Sequence, residues 1–314
     1  MTYAAVVMDR AAVEAAVSPE RAVEAVRDAF VAHARGEWLM PPKVYVTNYP
    51  AGDFRAMPAL GGGHALLKWI TSFPGNPARG LPTVTGVVLV SDAATGELRA
   101  VLDAASVTAL RTGAAAVLAA ETLGRADAET AAVIGAGVNG RAAARAFLVR
   151  GRPVALWDVD GARAAEVAAE LGCSVAGSRE EALAADLLVT VTPGHEIVLA
   201  DGALQPGQHA SLMGADGPGK AEVAGRELAR ARLFCDEWEQ ASHGGELAHA
   251  VDEGLVAEAD VTAIGAVLAG SAPGRADDHE ITMFDSTGLA IQDLAIALAA
   301  LDGAELAGLP RLNL

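Results

Sequence analysis

The stretch AAVIGAGVNGRAAARAF, residues Ala131–Phe147, joins an apolar run, three glycines and an alanine-rich run in one short segment. The first run has the apolar, β-branched composition of a buried strand, and the last has the composition of a helix. Gly135, Gly137 and Gly140 have the G-x-G-x-x-G spacing of a turn that binds the diphosphate of a dinucleotide. A helix that begins at such a turn presents free N–H groups and a positive dipole end to phosphate.

The residues around this turn support the same interpretation. Val138 and Asn139 lie between the glycines and belong to the predicted binding turn. Asp158 follows the next apolar run, where a carboxylate binds the ribose hydroxyls and repels a 2′-phosphate. Val159 and Asp160 come next and offer no cation to such a phosphate. The sequence therefore predicts a dinucleotide site that prefers NAD to NADP.

The alternation of runs continues after this segment and predicts the fold of the domain. Strand-like and helix-like runs alternate as PVALWDV, ARAAEVAAELG, DLLVTVT and HASLMGA. Strands joined by single helices need right-handed crossovers and form a parallel sheet covered on both faces. We expect an α/β Rossmann fold, a doubly wound parallel sheet, over residues 116–289.

The remainder of the chain has a different texture and predicts a second, α+β domain. Residues 19–35 have helical periodicity after the Ser18–Pro19 start, and residues 41–102 form short β-rich runs typical of a mostly antiparallel sheet. Residues 106–124 return to a helical pattern. The final helix, in STGLAIQDLAIALAALDG, is expected to return to the first domain, which would comprise residues 1–115 with 290–314.

Composition excludes several classes of function. The chain has 314 residues and a net charge of −17, which disfavours nucleic-acid binding. Two cysteines without a C-x-x-C pair fit a reducing cytoplasm, and no signal peptide or membrane-spanning run is predicted. His243, Glu246 and His249 lack the H-E-x-x-H register, so no metal site is expected.

Four charged residues outside the glycine turn are candidates for chemistry. Arg55, Lys68 and Arg111 lie in largely apolar segments, where a cation must either pair with an anion or stay hydrated. They are either surface cations or a carboxylate-binding cluster. Asp216 follows an apolar strand and precedes Gly-Pro-Gly, so it is either a turn former or a catalytic residue at the carboxyl edge of the sheet.

Longer motifs resemble a known family. The segments LLKWITSFPGNPARGLPTVTG and SVTALRTGAAA, the glycine turn, GADGPGKAEV and DSTGLAIQDLA occur in this order along nearly the whole chain. Together they resemble the ornithine cyclodeaminase and mu-crystallin family, which includes an archaeal-type alanine dehydrogenase and several imine reductases. The resemblance implies a homodimer whose subunits combine a substrate and dimerisation domain with a Rossmann domain.

The resemblance also implies roles for individual residues. Lys68 and Arg111 would bind the substrate carboxylate, and Lys68 and Asp216 would be catalytic, with Asp216 as the acid/base. The glycine turn and a set of further residues would line the NAD site: Thr83, Arg111, Thr112, Asp158, Thr192, Lys220 and Ser286. Arg55 departs from the glutamate typical of ornithine cyclodeaminases and resembles the alanine dehydrogenase pattern, in which it joins the lysine at the carboxylate.

Three functions remain open at the level of sequence. The first is an alanine-dehydrogenase-like or imine-reducing enzyme that moves hydride between NAD and the α-carbon of a small amino or imino acid. The second is an ornithine or lysine cyclodeaminase, which releases ammonia and returns the same hydride to a cyclic imine. The third is a binding protein that keeps the cofactor without catalysis. Arg55 favours the first, because a second cation would repel a diamine side chain.

Overall fold

The computed structural model describes residues 4–217 and 219–313 and divides into two compact units. Residues up to Arg111 and those from Leu289 onward form the first unit, and Thr112–Gly288 form the second. These boundaries fall within a few residues of those expected from the sequence. The roles assigned to the two domains stay predictions.

The first unit begins with a mixed set of helices and strands. In chain order they are β1 (Ala4–Met8), α1 (Arg10–Ala16), α2 (Pro19–Ala34), β2 (Val44–Asn48), β3 (Gly52–Gly61), β4 (His64–Ser72), β5 (Val84–Asp92), β6 (Leu98–Asp103) and α3 (Ala104–Leu123), whose residues from Thr112 onward belong to the second unit. A 3-10 turn at Asn76–Arg79 joins β4 to β5. Helix α2 begins as the sequence predicts, because the Ser18 side chain accepts the N–H of Arg21 at 3.2 Å and Pro19 is the first helical residue.

The second unit alternates strands and helices. Its elements are β7 (Ala131–Ile134), α4 (Val138–Val149), β8 (Val154–Trp157), α5 (Gly161–Leu171), β9 (Ser174–Val175), α6 (Arg179–Leu183), β10 (Leu187–Thr190), β11 (His209–Leu212), α7 (Gly225–Leu228), β12 (Arg232–Cys235), α8 (Trp238–Gly244), α9 (Leu247–Asp252), β13 (Val261–Ala263), α10 (Ile264–Leu268) and β14 (Thr282–Asp285). The chain then returns to the first unit with α11 (Ala290–Gly303) and β15 (Arg311–Asn313).

The sheet of the first unit has seven strands in the order β15-β1-β6-β5-β4-β3-β2. Strands β2 to β6 are antiparallel neighbours, as predicted for residues 41–102, and β1 adds to β6 in parallel. Helix α11 packs against α2 and against β3 and β4. Its first turn therefore lies over the buried face of this sheet.

The sheet of the second unit has eight parallel strands in the order β13-β12-β14-β11-β10-β7-β8-β9. All residues of β7, β10, β11 and β14 are buried, as expected for strands covered on both faces. The strand order reverses between β7 and β10, where sheets of this type bind their ligands. The predicted α/β Rossmann fold is confirmed.

Candidate functional site

Two predicted cations share the buried face of the first sheet. In β3 and β4, Met57 pairs with Lys68, so Lys68 lies on the same face as Arg55, two residues from Met57. The Lys68 side chain is 1% exposed. Because residues on this face are covered by α11, the structure excludes the interpretation of Lys68 as a surface cation.

Lys68 is paired with Asp293, an acidic residue in the first turn of α11. Its Nζ lies 2.7 Å from Oδ2 of Asp293 and donates to Oγ1 of Thr108 at 3.3 Å. Burial lowers the pKa of Lys68 to about 8, Asp293 opposes that shift, and Arg111 and Arg55 add to it. A lysine with this pKa can hold an anion and can also exchange a proton near neutral pH.

Arg111 contacts the other oxygen of the same carboxylate. Its Nε lies 3.7 Å from Oδ1 of Asp293, too far for a hydrogen bond, and finds no acceptor within the described part of the chain. Asp293 is fully buried. A guanidinium nitrogen buried without an acceptor costs free energy, so this position is suited to an anionic ligand.

Arg55 has a separate anionic partner. Its Nε donates to Oδ1 of Asp53 at 2.6 Å, and Nη2 donates to Oδ2 at 3.3 Å. The guanidinium also lies 5.4 Å from the ring centroid of Tyr45. Asp53 therefore compensates Arg55, whereas Lys68 and Arg111 share the single carboxylate of Asp293.

The glycine turn in the second unit has the geometry that its sequence predicts. Gly135 has a φ of +109°, which disfavours any residue with a side chain. A Cβ on Gly140 would overlap the carbonyl of Gly135, so helix α4 can approach β7 only with glycine there. At Gly137, which precedes α4, a Cβ would meet no described atom within 4 Å. This open start of α4, formed by Val138 and Asn139, leaves first-turn N–H groups for a diphosphate.

Asp158 lies at the end of β8, beside the glycine turn. Its Oδ2 accepts the N–H of Ala136 at 2.7 Å, and its Oδ1 accepts that of Asp160 at 2.8 Å. These bonds orient a carboxylate that keeps acceptor capacity for ribose hydroxyls. Nη1 of Arg163, on α5, lies 3.8 Å from Oδ2 of Asp158. This cation is not among the residues immediately after Asp158. It lies near the carboxylate because Arg163 is in the first turn of α5.

Asp216 and Lys220 form an ion pair in the loop after β11. Nζ of Lys220 lies 2.5 Å from Oδ1 of Asp216, and both side chains are partly exposed. Asp216 is therefore accessible to a ligand and is held in place by an ion pair. In the neighbouring loop, after β10, the N–H of Thr192 donates to Oε1 of Glu222 at 2.7 Å.

The other predicted cofactor residues lie in three separate places. Ser286 follows β14 and is buried, and its hydroxyl donates to Oδ2 of Asp236 at 3.3 Å. Thr112 is buried in α3. Thr83 precedes β5 in the first unit, and Arg111 belongs to that unit too.

Three buried acids at these sites were not predicted from the sequence. Asp53 precedes Arg55 by two residues in a strand, which is a visible signal for an ion pair. Asp293 is a charge inside the apolar helix α11, and Glu222 is the penultimate residue of the GADGPGKAEV motif. Their partners could not be found by spacing, because Asp293 and Lys68 lie far apart in the chain.

The described residues contain neither a cluster of metal ligands nor a helix suited to a membrane. In residues 4–217 and 219–313, no group of three or more His, Cys, Asp or Glu side chains is arranged to hold a metal ion. Within the same residues, no helix has both the length and the apolar character needed to cross a membrane.

Comparisons with known proteins agree with this geometry. The model of the ornithine cyclodeaminase/mu-crystallin family matches residues 4–305. An alanine dehydrogenase of Archaeoglobus fulgidus is 41% identical over 302 residues, which cover 93% of this chain and 92% of the relative. An archaeal alanine dehydrogenase dimer with bound NAD has a TM-score of 0.93 at 40% identity, covering 99% of both chains. The iminosuccinate reductase of Paracoccus denitrificans in complex with NAD+ has a TM-score of 0.90 at 31% identity, again covering 99% of both chains.

Proposed function

The chain belongs to the ornithine cyclodeaminase/mu-crystallin family, and from this premise we propose that it is an alanine-dehydrogenase-like enzyme. It would transfer hydride between NAD and the α-carbon of a small amino or imino acid. The predicted family is confirmed, as is the predicted class, a nicotinamide-dependent enzyme of amino- or imino-acid chemistry. The specific substrate and the residue roles below are our proposals.

The observation that carries the proposal is the buried group of Lys68, Arg111 and Asp293. Its two cations share one carboxylate, which leaves one positive charge in excess among these three side chains. A substrate with a single carboxylate would neutralise that charge and supply an acceptor to the unpaired Nε of Arg111. Arg and Lys that converge on a carboxylate fix its orientation, and with it the face of the α-carbon that reacts.

The second unit supplies the residues that would hold NAD. The first turn of α4 would bind the diphosphate, and Asp158 would bind the adenosine ribose. Thr192, Lys220 and Ser286 lie in the segments that follow the neighbouring strands β10, β11 and β14, on the side of the sheet where such folds bind ligands. NAD, when bound, supplies the acceptor or donor of hydride.

Proton transfer is assigned to Asp216 and Lys68. Asp216 is partly exposed and would exchange protons with the water that adds to an imine, so that keto acid and ammonia form. In the reverse direction it would exchange protons as the imine forms from keto acid and ammonia. Lys220 keeps that carboxylate in place. Protonated Lys68 would hold the substrate carboxylate and polarise the carbonyl oxygen of a keto acid.

The buried position of Arg55 beside Lys68 on the sheet face argues against a cyclodeaminase. A diamine substrate carries a second ammonium group, and Arg55 is a buried cation on the same sheet face as Lys68. Like charges brought together in a buried site disfavour binding. The non-catalytic alternative is disfavoured by the buried Lys68 with its lowered pKa, since a protein that only binds the cofactor has no need of such a group.

We also propose that the chain forms a homodimer through the open face of the first sheet. Leu67, Trp69 and Val87 point away from α11 and are each more than a third exposed. Phe54 stacks on Trp69 with ring centroids 5.7 Å apart. A continuous exposed apolar face of this kind is typical of a protein–protein interface.

A spectrophotometric assay of NADH tests the proposed reaction. Incubation with NAD and alanine should produce NADH, and pyruvate with ammonia should consume it. Ornithine should give neither a change in NADH nor a proline product. Release of ammonia and proline from ornithine at constant NADH would identify a cyclodeaminase, and tight NADH binding without turnover of any amino or keto acid would identify a binding protein.

A further inference from the structure

Glu222 is a fully buried carboxylate that joins two loops of the second unit. Its Oε1 accepts the N–H of Thr192 at 2.7 Å. Its Oε2 accepts the hydroxyl of Thr190 at 2.8 Å and the N–H of Gly214 at 3.0 Å. Thr190 ends β10, and Gly214 lies two residues beyond the end of β11. One side chain thus ties together the carboxyl ends of two adjacent strands.

The three donors explain why this position holds a glutamate. An ionised carboxylate is only an acceptor and has about four lone-pair sites, which suffice for three donors. Glutamine offers one acceptor oxygen, and its NH2 group would face an N–H or hydroxyl donor. A Cβ on Gly214 would overlap the Glu222 carboxylate and the carbonyl of Thr192, so this approach also requires glycine at 214.

Glu222 is itself fixed by a second buried acid, Glu246. The N–H of Glu222 donates to both Glu246 oxygens at 2.7 and 3.0 Å, and the N–H of Val223 donates to one of them at 3.2 Å. In the described residues neither glutamate forms an ion pair with Lys or Arg. Backbone N–H groups therefore take the place of counter-charges, and the position of the Glu222 side chain is set by the loop it belongs to.

The two loops that Glu222 joins carry the residues proposed to meet the cofactor. Thr192 is bonded directly, Asp216 follows Gly214 by two residues, and Lys220 precedes Glu222 by two. The Thr192 loop also lies against the glycine turn, because a Cβ on Gly135 would come within 2.8 Å of the carbonyl of Val191. A shift of either loop would move these groups relative to the turn that binds the diphosphate.

We infer that Glu222 is a positioning residue of the nucleotide site, which holds the loops of Thr192 and Asp216 at the switch point of the parallel sheet. It acts through these loops rather than by touching the cofactor. The inference rests on the proposed NAD cofactor, since NADH is the ligand whose binding it predicts.

The test compares Glu222→Gln with Glu227→Gln in the full chain. Glu227 is a matched control: it is also fully buried in the second unit and accepts the N–H groups of Gly202 and Leu204, which lie ten or more residues along the chain from Thr192 and Asp216. Loss of a buried hydrogen bond of this kind weakens the associated equilibrium by about tenfold. We expect the Kd for NADH to rise about tenfold or more in E222Q and to stay unchanged in E227Q, although both variants lose thermal stability.

A second variant keeps the inference testable if E222Q does not fold. Gly214→Ala should displace the Glu222 carboxylate and raise the Kd for NADH in the same way. An unchanged Kd in a folded E222Q or G214A, with NADH still bound by the parent chain, would overturn the inference alone. Failure of the parent chain to bind NADH would overturn the proposed cofactor, and the inference with it.

Discussion

Asp293 is the residue that sets the electrostatic environment of Lys68. It approaches from α11, while Arg111 and Thr108 approach from α3 and Arg55 from β3. Burial and the two guanidinium groups favour neutral Lys68, and only Asp293 favours its protonated form. The pKa of about 8 is therefore a balance in which the single carboxylate decides how much Lys68 is charged at neutral pH.

Asp293→Asn should move the alkaline limb of the pH profile of kcat/KM to lower pH. The variant removes the group that raises the pKa of Lys68, so the lysine loses its proton below about pH 8. At neutral pH the KM for the amino or keto acid should rise, because less of the cation is present to hold the carboxylate. Steady-state kinetics across a range of pH would measure both effects.

Asp53→Asn is the matched control for this shift. Asp53 is also a buried acid of the same unit, but its partner is Arg55 and it does not act on the pKa of Lys68. D53N should leave the alkaline limb in place while it alters substrate affinity. An Asp293→Asn profile that overlays the parent profile would show that Asp293 does not control Lys68.

At the residue scale, the sequence indicates candidate members of the site but not their ionic partners, and the roles of these candidates stay predictions. Lys68, Arg111 and the glycines were identified from motif and family resemblance. Asp293 was visible only as a charge in an apolar helix, and Arg163 as a residue of α5. Their relevance depends on which elements the fold brings together, and single-sequence spacing does not contain that information.

At the scale of secondary structure, buried acids hold the loops of the second unit by accepting hydrogen bonds from their backbone N–H groups. Burial raises the pKa of Glu246 well above its ordinary value of 4.5, and the neighbouring Glu222 and Asp285 raise it further. The folded chain thus binds a proton that the unfolded chain releases above about pH 4.5. The contribution of Glu246 to the stability of the fold therefore falls as pH rises from about 4.5 to the raised pKa of the folded state.

Glu246→Gln should flatten this loss of stability with pH. The variant carries no ionisable group, so the decline that comes from Glu246 disappears, while one acceptor for the N–H groups of Glu222 and Val223 is lost. Relative to the parent, E246Q should be less stable near about pH 5 and should recover or exceed parent stability near about pH 9. Denaturant unfolding at several pH values measures this, and parallel curves for the two proteins would contradict it.

The elements themselves were predicted unevenly from the sequence. The helices at 19–35 and 106–124 match α2 and α3 within two residues, because a proline start and a long alanine-rich face are strong signals. Strands β12, β13 and β14 were not predicted, although β12 and β14 are as long as β7 and β8, because the helices α7 to α10 around them have only four to seven residues and give no clear strand–helix alternation. Strand β14 also inserts between β11 and β12, an order that no local pattern specifies.

At the scale of the whole molecule, the apolar face of the first sheet predicts self-association. Val87→Glu should shift the protein from dimer to monomer, because a buried interface does not accept an unpaired charge. Val175→Glu is the control: Val87 and Val175 are 40% and 43% exposed, and Val175 lies on the edge strand β9 of the other unit. Size-exclusion chromatography with light scattering would show the difference, and a V87E protein that elutes as the parent does would exclude this face.

The central claim is that Lys68, with Arg111 and Asp293, binds and activates the substrate in a chain whose second unit binds NAD. Lys68→Met removes the ammonium group and leaves Asp293 with Arg111 as its cationic partner, so the buried carboxylate stays compensated. Arg99→Met, a change at an exposed cation of the same unit, is the control.

The decisive measurement is kcat for the amino acid in these variants, together with the Kd for NADH. We predict that kcat falls by about a thousandfold in Lys68→Met, since proton transfer and carboxylate orientation are lost together. The Kd for NADH should stay within about twofold of the parent value. A Lys68→Met protein with parental kcat would contradict the account.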